Sequence, residues 1–258
     1  MRDTANRARL AHERSLLEAE VARLEQDLEN NWFGGAFSDA DADADAALDH
    51  ARGKVRALEA IENVLAPPST GRYLLVLDPS GEQLKVAVAI GDVDTVDHVG
   101  VFTPGYTTTV QDSLVRYDRQ LAALQAQAVG LARQGRTGTA ATVAWLGYEA
   151  PQTADVWRPS RSVAGDEAAA RGAERLARFY GGLDAARDVP AHVTALDHSY
   201  GSLTTGLALQ RERARTPSPT SPLSGSTRTS WPVWRACRRR VRLLTPWSGR
   251  SGSGTAPT

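Results

Sequence analysis

Between residues 73 and 210, short apolar runs alternate with long amphipathic stretches, and this alternation restricts the chain to few folds. Tyr73 to Leu77, Val86 to Ile90, Val99 to Phe102, Ala140 to Leu146 and Ala191 to Leu196 have the length and composition of buried strands. Asp78-Pro79-Ser80-Gly81 joins the first two as an antiparallel hairpin. Helices are expected from about Gln111 to Arg133, where Leu114, Leu121, Leu124 and Leu131 recur, and from about Gly165 to Arg187. Strands separated by helices of that length predict right-handed crossovers. The expected fold is therefore α/β: a mostly parallel sheet with flanking helices.

The last expected strand runs into Asp197-His198-Ser199-Tyr200-Gly201-Ser202, and the helix-like stretch from Leu203 to Gln210 follows at once. A serine on such a strand-to-helix turn projects its hydroxyl clear of the sheet edge, above a helix N-terminus that favours developing negative charge. Gly201 suits a turn in which backbones approach too closely for a side chain, whereas Asp197 stands where Gly-x-Ser-x-Gly has its first glycine. Ser199 is thus the candidate nucleophile, against the simpler reading of a βα turn with a capping serine. Oxyanion donors in this arrangement come from the residue after the nucleophile, here Tyr200, and from the loop after the third strand. That loop is Thr103-Pro104-Gly105-Tyr106-Thr107-Thr108, which makes the backbone N–H of Gly105 or Tyr106 the second donor, unless Pro104-Gly105 only ends a strand.

His198-Ser199-Tyr200-Gly201-Ser202, Leu146-Gly147-Tyr148-Glu149-Ala150-Pro151 and Thr103-Pro104-Gly105 together resemble a family of actinobacterial α/β-hydrolase-like proteins of largely unknown function. The resemblance covers about residues 70 to 212. It implies a serine hydrolase scaffold in which Ser199 matches the nucleophile of the family's His-Ser-Tyr-Gly-Ser signature. It names no substrate beyond the ester or amide class.

A serine alcohol needs a base, and this fold delivers its acid and then its histidine after the nucleophile. No acidic residue and no histidine follows Glu212. The histidines are His12, His50, His98, His192 and His198; two of them open strands at the far end of the sheet, and His198 adjoins the serine facing away. No complete triad can be assembled, and the chain is expected to be catalytically incomplete.

Residues 1 to 66 read as a helical hairpin. Leu10, Leu17, Val21, Leu24 and Leu28 stripe one helix, and Leu48, Val55, Leu58, Ile61 and Leu65 stripe a second that starts at Ser38 or Asp39. Asp39, Asp41, Asp43 and Asp45 lack the glycine and terminal glutamate of a calcium loop and read instead as an acidic helix start. Trp32-Phe33-Gly34 resembles the Trp-x-Gly turn of small hairpin proteins handled by type VII secretion, although Tyr73 is followed four positions later by Leu77 rather than an acid. The competing functional reading is accordingly an interaction module that offers residues 1 to 66 to a helical protein partner, its hydrolase-like part being only a scaffold.

From Arg213 to Thr258 the pattern stops. The chain up to Glu212 has 21 basic and 30 acidic residues, a balance of −9, whereas the remainder carries nine arginines and no acid. Ser, Thr, Pro, Gly and Arg dominate there, which predicts a disordered basic tail. Its abrupt onset suggests truncation or a frame change in G+C-rich coding DNA. Arg238-Arg239-Arg240 beside Trp231, Trp234 and Trp247 could touch nucleic acid, but without a folded platform no such role is expected. One cysteine, Cys237, excludes a disulfide framework and a thiolate metal cluster, and no cofactor is expected. No apolar run is long enough to span a bilayer and the N-terminus is not a signal peptide, so a cytoplasmic location is expected, with signal-less secretion as the other route.

Overall fold

A computed structural model of the chain describes residues 2–32, 39–66, 71–133, 138–153 and 165–215. Helix α1 spans Arg2–Trp32 and α2 spans Asp39–Leu65; strands β1 (Arg72–Asp78), β2 (Lys85–Ile90) and β3 (His98–Thr103) follow. Then come α3 (Val110–Arg133), β4 (Ala140–Leu146), α4 (Glu167–Ala185), β5 (His192–Asp197) and α5 (Tyr200–Arg215). Each expected strand is present within a residue or two of its expected ends. The expected acidic start of α2 is also seen, since the helix begins at Asp39.

The five strands form one sheet in the order β1-β2-β4-β3-β5. β1 pairs antiparallel with β2 and β2 antiparallel with β4, while β3 is parallel to both β4 and β5. Only β2 is reversed, and the other strands all deliver their C-terminal ends to the same edge. The long crossovers through α3 and α4 make this possible, because parallel neighbours cannot be joined by a tight turn.

Side-chain alternation splits the sheet into two cores. Val86, Val88, Ala144 and Leu146 face a core shared with α2 and α3, where Leu58, Ile61 and Leu114 are fully buried. Ala87, Ala89, Val99, Val101, Val143 and Trp145 face the other side, against Ala173, Leu176 and Ala177 of α4. Being covered on both faces, β2 and β4 read as continuous apolar runs rather than alternating ones.

The hairpin shares this core. Leu58, Ile61, Val64 and Leu65 of α2 and Leu10 of α1 belong to the same cluster as the sheet residues, and the apolar stripe of α2 is covered there by α1, α3 and the sheet together. The first turns of α1 close the free edge of β1: Asp3 Oδ1 accepts the Leu74 N–H at 2.7 Å, and Asn6 Nδ2 donates to the Leu74 carbonyl at 2.8 Å. Arg7 donates to the Arg72 carbonyl, also at 2.8 Å. Edge backbone groups that would otherwise invite another strand are thereby satisfied. Arg72 in turn forks onto the buried carboxylate of Asp118, both contacts at 2.8 Å, which fastens β1 to α3.

Helix α5 continues past the expected Gln210 to Arg215. Beyond it, residues 216–258, expected to be a disordered tail, lie outside the described residues, as do Phe33 and Gly34 of the expected interhelical turn. No helix among the described residues is long and apolar enough to cross a membrane.

Candidate active site

The C-terminal ends of β3 and β5 lie side by side, with Thr103 opposite Asp197. One residue separates β5 from Ser199, and α5 starts immediately after it at Tyr200. So short a reversal forces an unusual backbone: Ser199 has φ +56°, one of two non-glycine residues with positive φ among those described. A side chain in this region carries strain on the order of 1 kcal/mol or more, which only over-determined surroundings sustain.

Those surroundings are visible. The Gly201 N–H donates to the His198 carbonyl at 3.0 Å and the Ser202 N–H to the Ser199 carbonyl at 2.9 Å, closing the turn. The His198 N–H reaches the Thr103 carbonyl at 3.3 Å, tying the turn to β3. Asp197 has a role that its substitution for glycine did not suggest: its Oδ1 accepts the Ser202 hydroxyl at 2.6 Å, stapling strand end to helix start. Gly201 is required by space, since a Cβ there would stand 2.3 Å from the Thr103 carbonyl oxygen and 2.6 Å from that of Pro104.

The loop after β3 reaches the same point. A Cβ on Gly105 would lie 2.6 Å from the His198 carbonyl oxygen and 2.9 Å from both the Ser199 Cβ and the Tyr200 nitrogen. Gly105 is therefore pressed against the turn that presents Ser199, and Tyr200 joins it through its backbone. The Tyr106 hydroxyl donates to Thr153 Oγ1 at 3.2 Å. Ser199 itself is exposed, and among the described residues no side chain hydrogen-bonds its hydroxyl.

Two tyrosines have roles that sequence alone did not reveal. The Tyr148 hydroxyl, buried beyond the end of β4, donates to the Pro104 carbonyl at 2.7 Å. Burial pushes that hydroxyl far above the usual phenol range, against a smaller opposing pull from a Thr204 hydrogen bond. The Tyr200 hydroxyl donates to the Gly165 carbonyl at 2.8 Å and accepts the Ala169 N–H at 3.2 Å, linking the turn to the first residues of α4. Both follow from the quoted motifs only once the loops are folded against one another.

The loop that carries Tyr148 is braced from the other side. Lys85, 4% exposed, sets its ammonium 3.2 Å from Glu149 Oε1 and donates to the carbonyls of Ser80 and Gln83. Further along, the Thr107 N–H donates to the Pro151 carbonyl at 2.9 Å, which binds this loop to the one holding Gly105.

The histidines stand where their strand positions predicted. His98 and His192 pair in register at the opposite end of the sheet, ring centroids 5.4 Å apart. At about 3.3 Å per residue, five steps along the strand put them roughly 16 Å from the Ser199 end. His198 is exposed, His12 lies on α1, and His50 lies on α2, where burial and nearby Lys54 lower its basicity. No cluster of potential metal ligands exists among the described residues.

A sheet of this strand order with one reversed strand, helices on both faces and a serine on the turn leaving β5 defines the α/β-hydrolase class. The sequence model of an alpha/beta hydrolase family matches residues 78–226, and the chain belongs to that family. Uncharacterized proteins of Mycobacterium bovis and Mycobacterium tuberculosis are 35% identical to it over 205 residues, covering 76% of this chain and 68% of their own. Another uncharacterized M. tuberculosis protein is 35% identical over 139 residues, which is 51% of this chain and 20% of that protein.

Proposed function

We propose that the chain is a serine hydrolase scaffold of the esterase or amidase class, with Ser199 as nucleophile and a small-molecule ester or amide as substrate. The backbone N–H of Tyr200 and that of Gly105 or Tyr106 serve as oxyanion donors in this reading. The observation that carries it is the positive φ of Ser199 on a turn against which Gly105 is wedged. An ordinary capping serine has no need of that strain, whereas a nucleophile must stand clear of the sheet with N–H donors around it.

The same reading leaves the nucleophile without a base among the described residues, and so proposes a catalytically incomplete site. Elbow and oxyanion donors alone retain roughly 10³–10⁴-fold of catalysis over water in hydrolases stripped of triad members. Prolonged exposure of the purified chain to a fluorophosphonate, with peptide mapping, should thus show slow modification at Ser199 that Ser199→Ala abolishes. Ester turnover at rates typical of intact hydrolases would refute the incompleteness; no Ser199-dependent modification at all would refute the nucleophile.

The alternative, a helical partner for residues 1 to 66, is favoured less by the packing. The apolar stripe of α2 is already buried in the core it shares with α1, α3 and the sheet, and among the described residues of the hairpin Leu16 of α1 is the exposed large apolar side chain.

A further inference from the structure

We propose that Tyr148 is the positioning residue of the oxyanion loop: its buried hydroxyl, by holding the Pro104 carbonyl, sets the distance between Gly105 and Ser199. The inference rests on the reading of Ser199 as nucleophile and adds the device that keeps its surroundings in place.

Proline has no N–H, so the carbonyl is the only polar group through which Pro104 can be fixed. Pro104 is buried, and an unpaired carbonyl there would turn toward water and carry its neighbour with it. The neighbour is Gly105, which leaves no room even for a methyl: an added Cβ would stand 2.6 Å from the His198 carbonyl oxygen and 2.9 Å from the Ser199 Cβ and the Tyr200 nitrogen. A shift of Pro104 therefore becomes a shift of the candidate oxyanion donors.

Tyr148 is suited to hold that carbonyl because it is itself held. Its ring stacks on Trp145, centroids 6.0 Å apart and planes within 11°, and Trp145 is 2% exposed. The ring also meets α4 at Gly172, where an added Cβ would be 2.9 Å from Tyr148 Cδ2. The next residue, Glu149, is pinned by the buried ammonium of Lys85. The hydroxyl thus has a fixed origin, and burial keeps it protonated as a donor across the working pH range.

Tyr148→Phe tests this in the full chain, since it keeps the stacking ring and removes only the hydroxyl. Misplacing a reacting arrangement by about 1 Å costs on the order of 10²-fold. The limiting rate of fluorophosphonate modification at Ser199 should fall at least about 10-fold, with the half-saturating probe concentration little changed, because the loss is confined to the transition state. Amide hydrogen exchange across residues 103–107 should quicken in the variant. A wild-type rate in Tyr148→Phe overturns the proposal while the nucleophile reading stands. If the parent chain shows no Ser199-dependent modification, the nucleophile reading and the catalytic part of this proposal fail together. Unchanged exchange at residues 103–107 overturns the positioning itself, whatever the serine does.

Discussion

Gly105 lies against Ser199 so closely that a Cβ on the glycine would stand 2.9 Å from the serine's own Cβ. Two loops that are 94 positions apart in the chain are thereby locked into one surface. Their meeting is what turns a strand-to-helix turn into a candidate site.

Substitutions at the glycines of this junction should differ in a defined order. Gly201→Ala drives a methyl into two backbone carbonyls, those of Thr103 and Pro104, neither of which can rotate away. Gly105→Ala meets one carbonyl, a side-chain carbon and a backbone nitrogen, at slightly longer distances. Overpacking of this kind costs about 1–3 kcal/mol. Gly201→Ala should fall at the upper end of that range or above and Gly105→Ala below it, measured by urea unfolding. Gly105→Ala should in addition slow Ser199 modification out of proportion to its effect on stability. Equal stabilities of parent and Gly201→Ala would show that the loop does not bear on the turn.

Much of this arrangement could be read from the sequence, and the reason is periodicity. The strands are bounded by Pro, Gly and Asp, and burial on both faces makes β2 and β4 continuous apolar runs, so each was recognisable without knowing its neighbours. The turn that carries Ser199 was legible because only His198 and Ser199 stand between the apolar run of β5 and the start of α5, with Gly201 following at once. Pairings across long separations were not. The Tyr148 hydroxyl finds Pro104 only after β4 is inserted between β2 and β3, and no local pattern announces that order. Likewise, the aspartate standing in for the elbow's first glycine gains its meaning from Ser202, a contact that exists only after the turn has closed. The sharing of one core by hairpin and sheet was equally hidden, since an amphipathic stripe does not say what covers it.

Buried phenols set an alkaline limit. Burial raises both Tyr148 and Tyr180 well above the ordinary phenol value of 10.0, the nearby carboxylate of Asp197 adding to the effect on Tyr180. A folded-state value above the unfolded one means that the stabilisation is complete below the unfolded value and drains away as pH rises through the folded one. The contribution of these two phenols should be constant up to about pH 10 and be lost progressively above. Tyrosinate absorbance should appear together with loss of structure rather than before it. The two residues should respond differently to removal of the hydroxyl. Tyr180 has no hydrogen-bond partner for its buried oxygen among the described residues, so Tyr180→Phe should be neutral or stabilising. Tyr148→Phe abandons the Pro104 carbonyl and should cost about 1–2 kcal/mol. If both variants behave alike at neutral pH, the Tyr148 hydrogen bond is not a supporting one.

Strain at Ser199 offers the sharpest separation of function from fold. Its φ of +56° is one that glycine adopts freely and serine does not. Ser199→Gly should therefore relieve about 1 kcal/mol of strain against roughly 0.4–1 kcal/mol for the greater freedom of glycine in the unfolded state, leaving the chain as stable as the parent or slightly more so. Ser199→Ala keeps the strain and should sit near the parent in stability. Both remove the hydroxyl and should abolish fluorophosphonate modification. A site retained for chemistry is expected to show this pattern, in which the reactive residue is not the one that the backbone prefers. Were Ser199→Gly instead to destabilise by 1 kcal/mol or more, beyond what unfolded-state entropy of about that size explains, the serine side chain would be making a structural contact. Its identity as a nucleophile would then lose its physical basis.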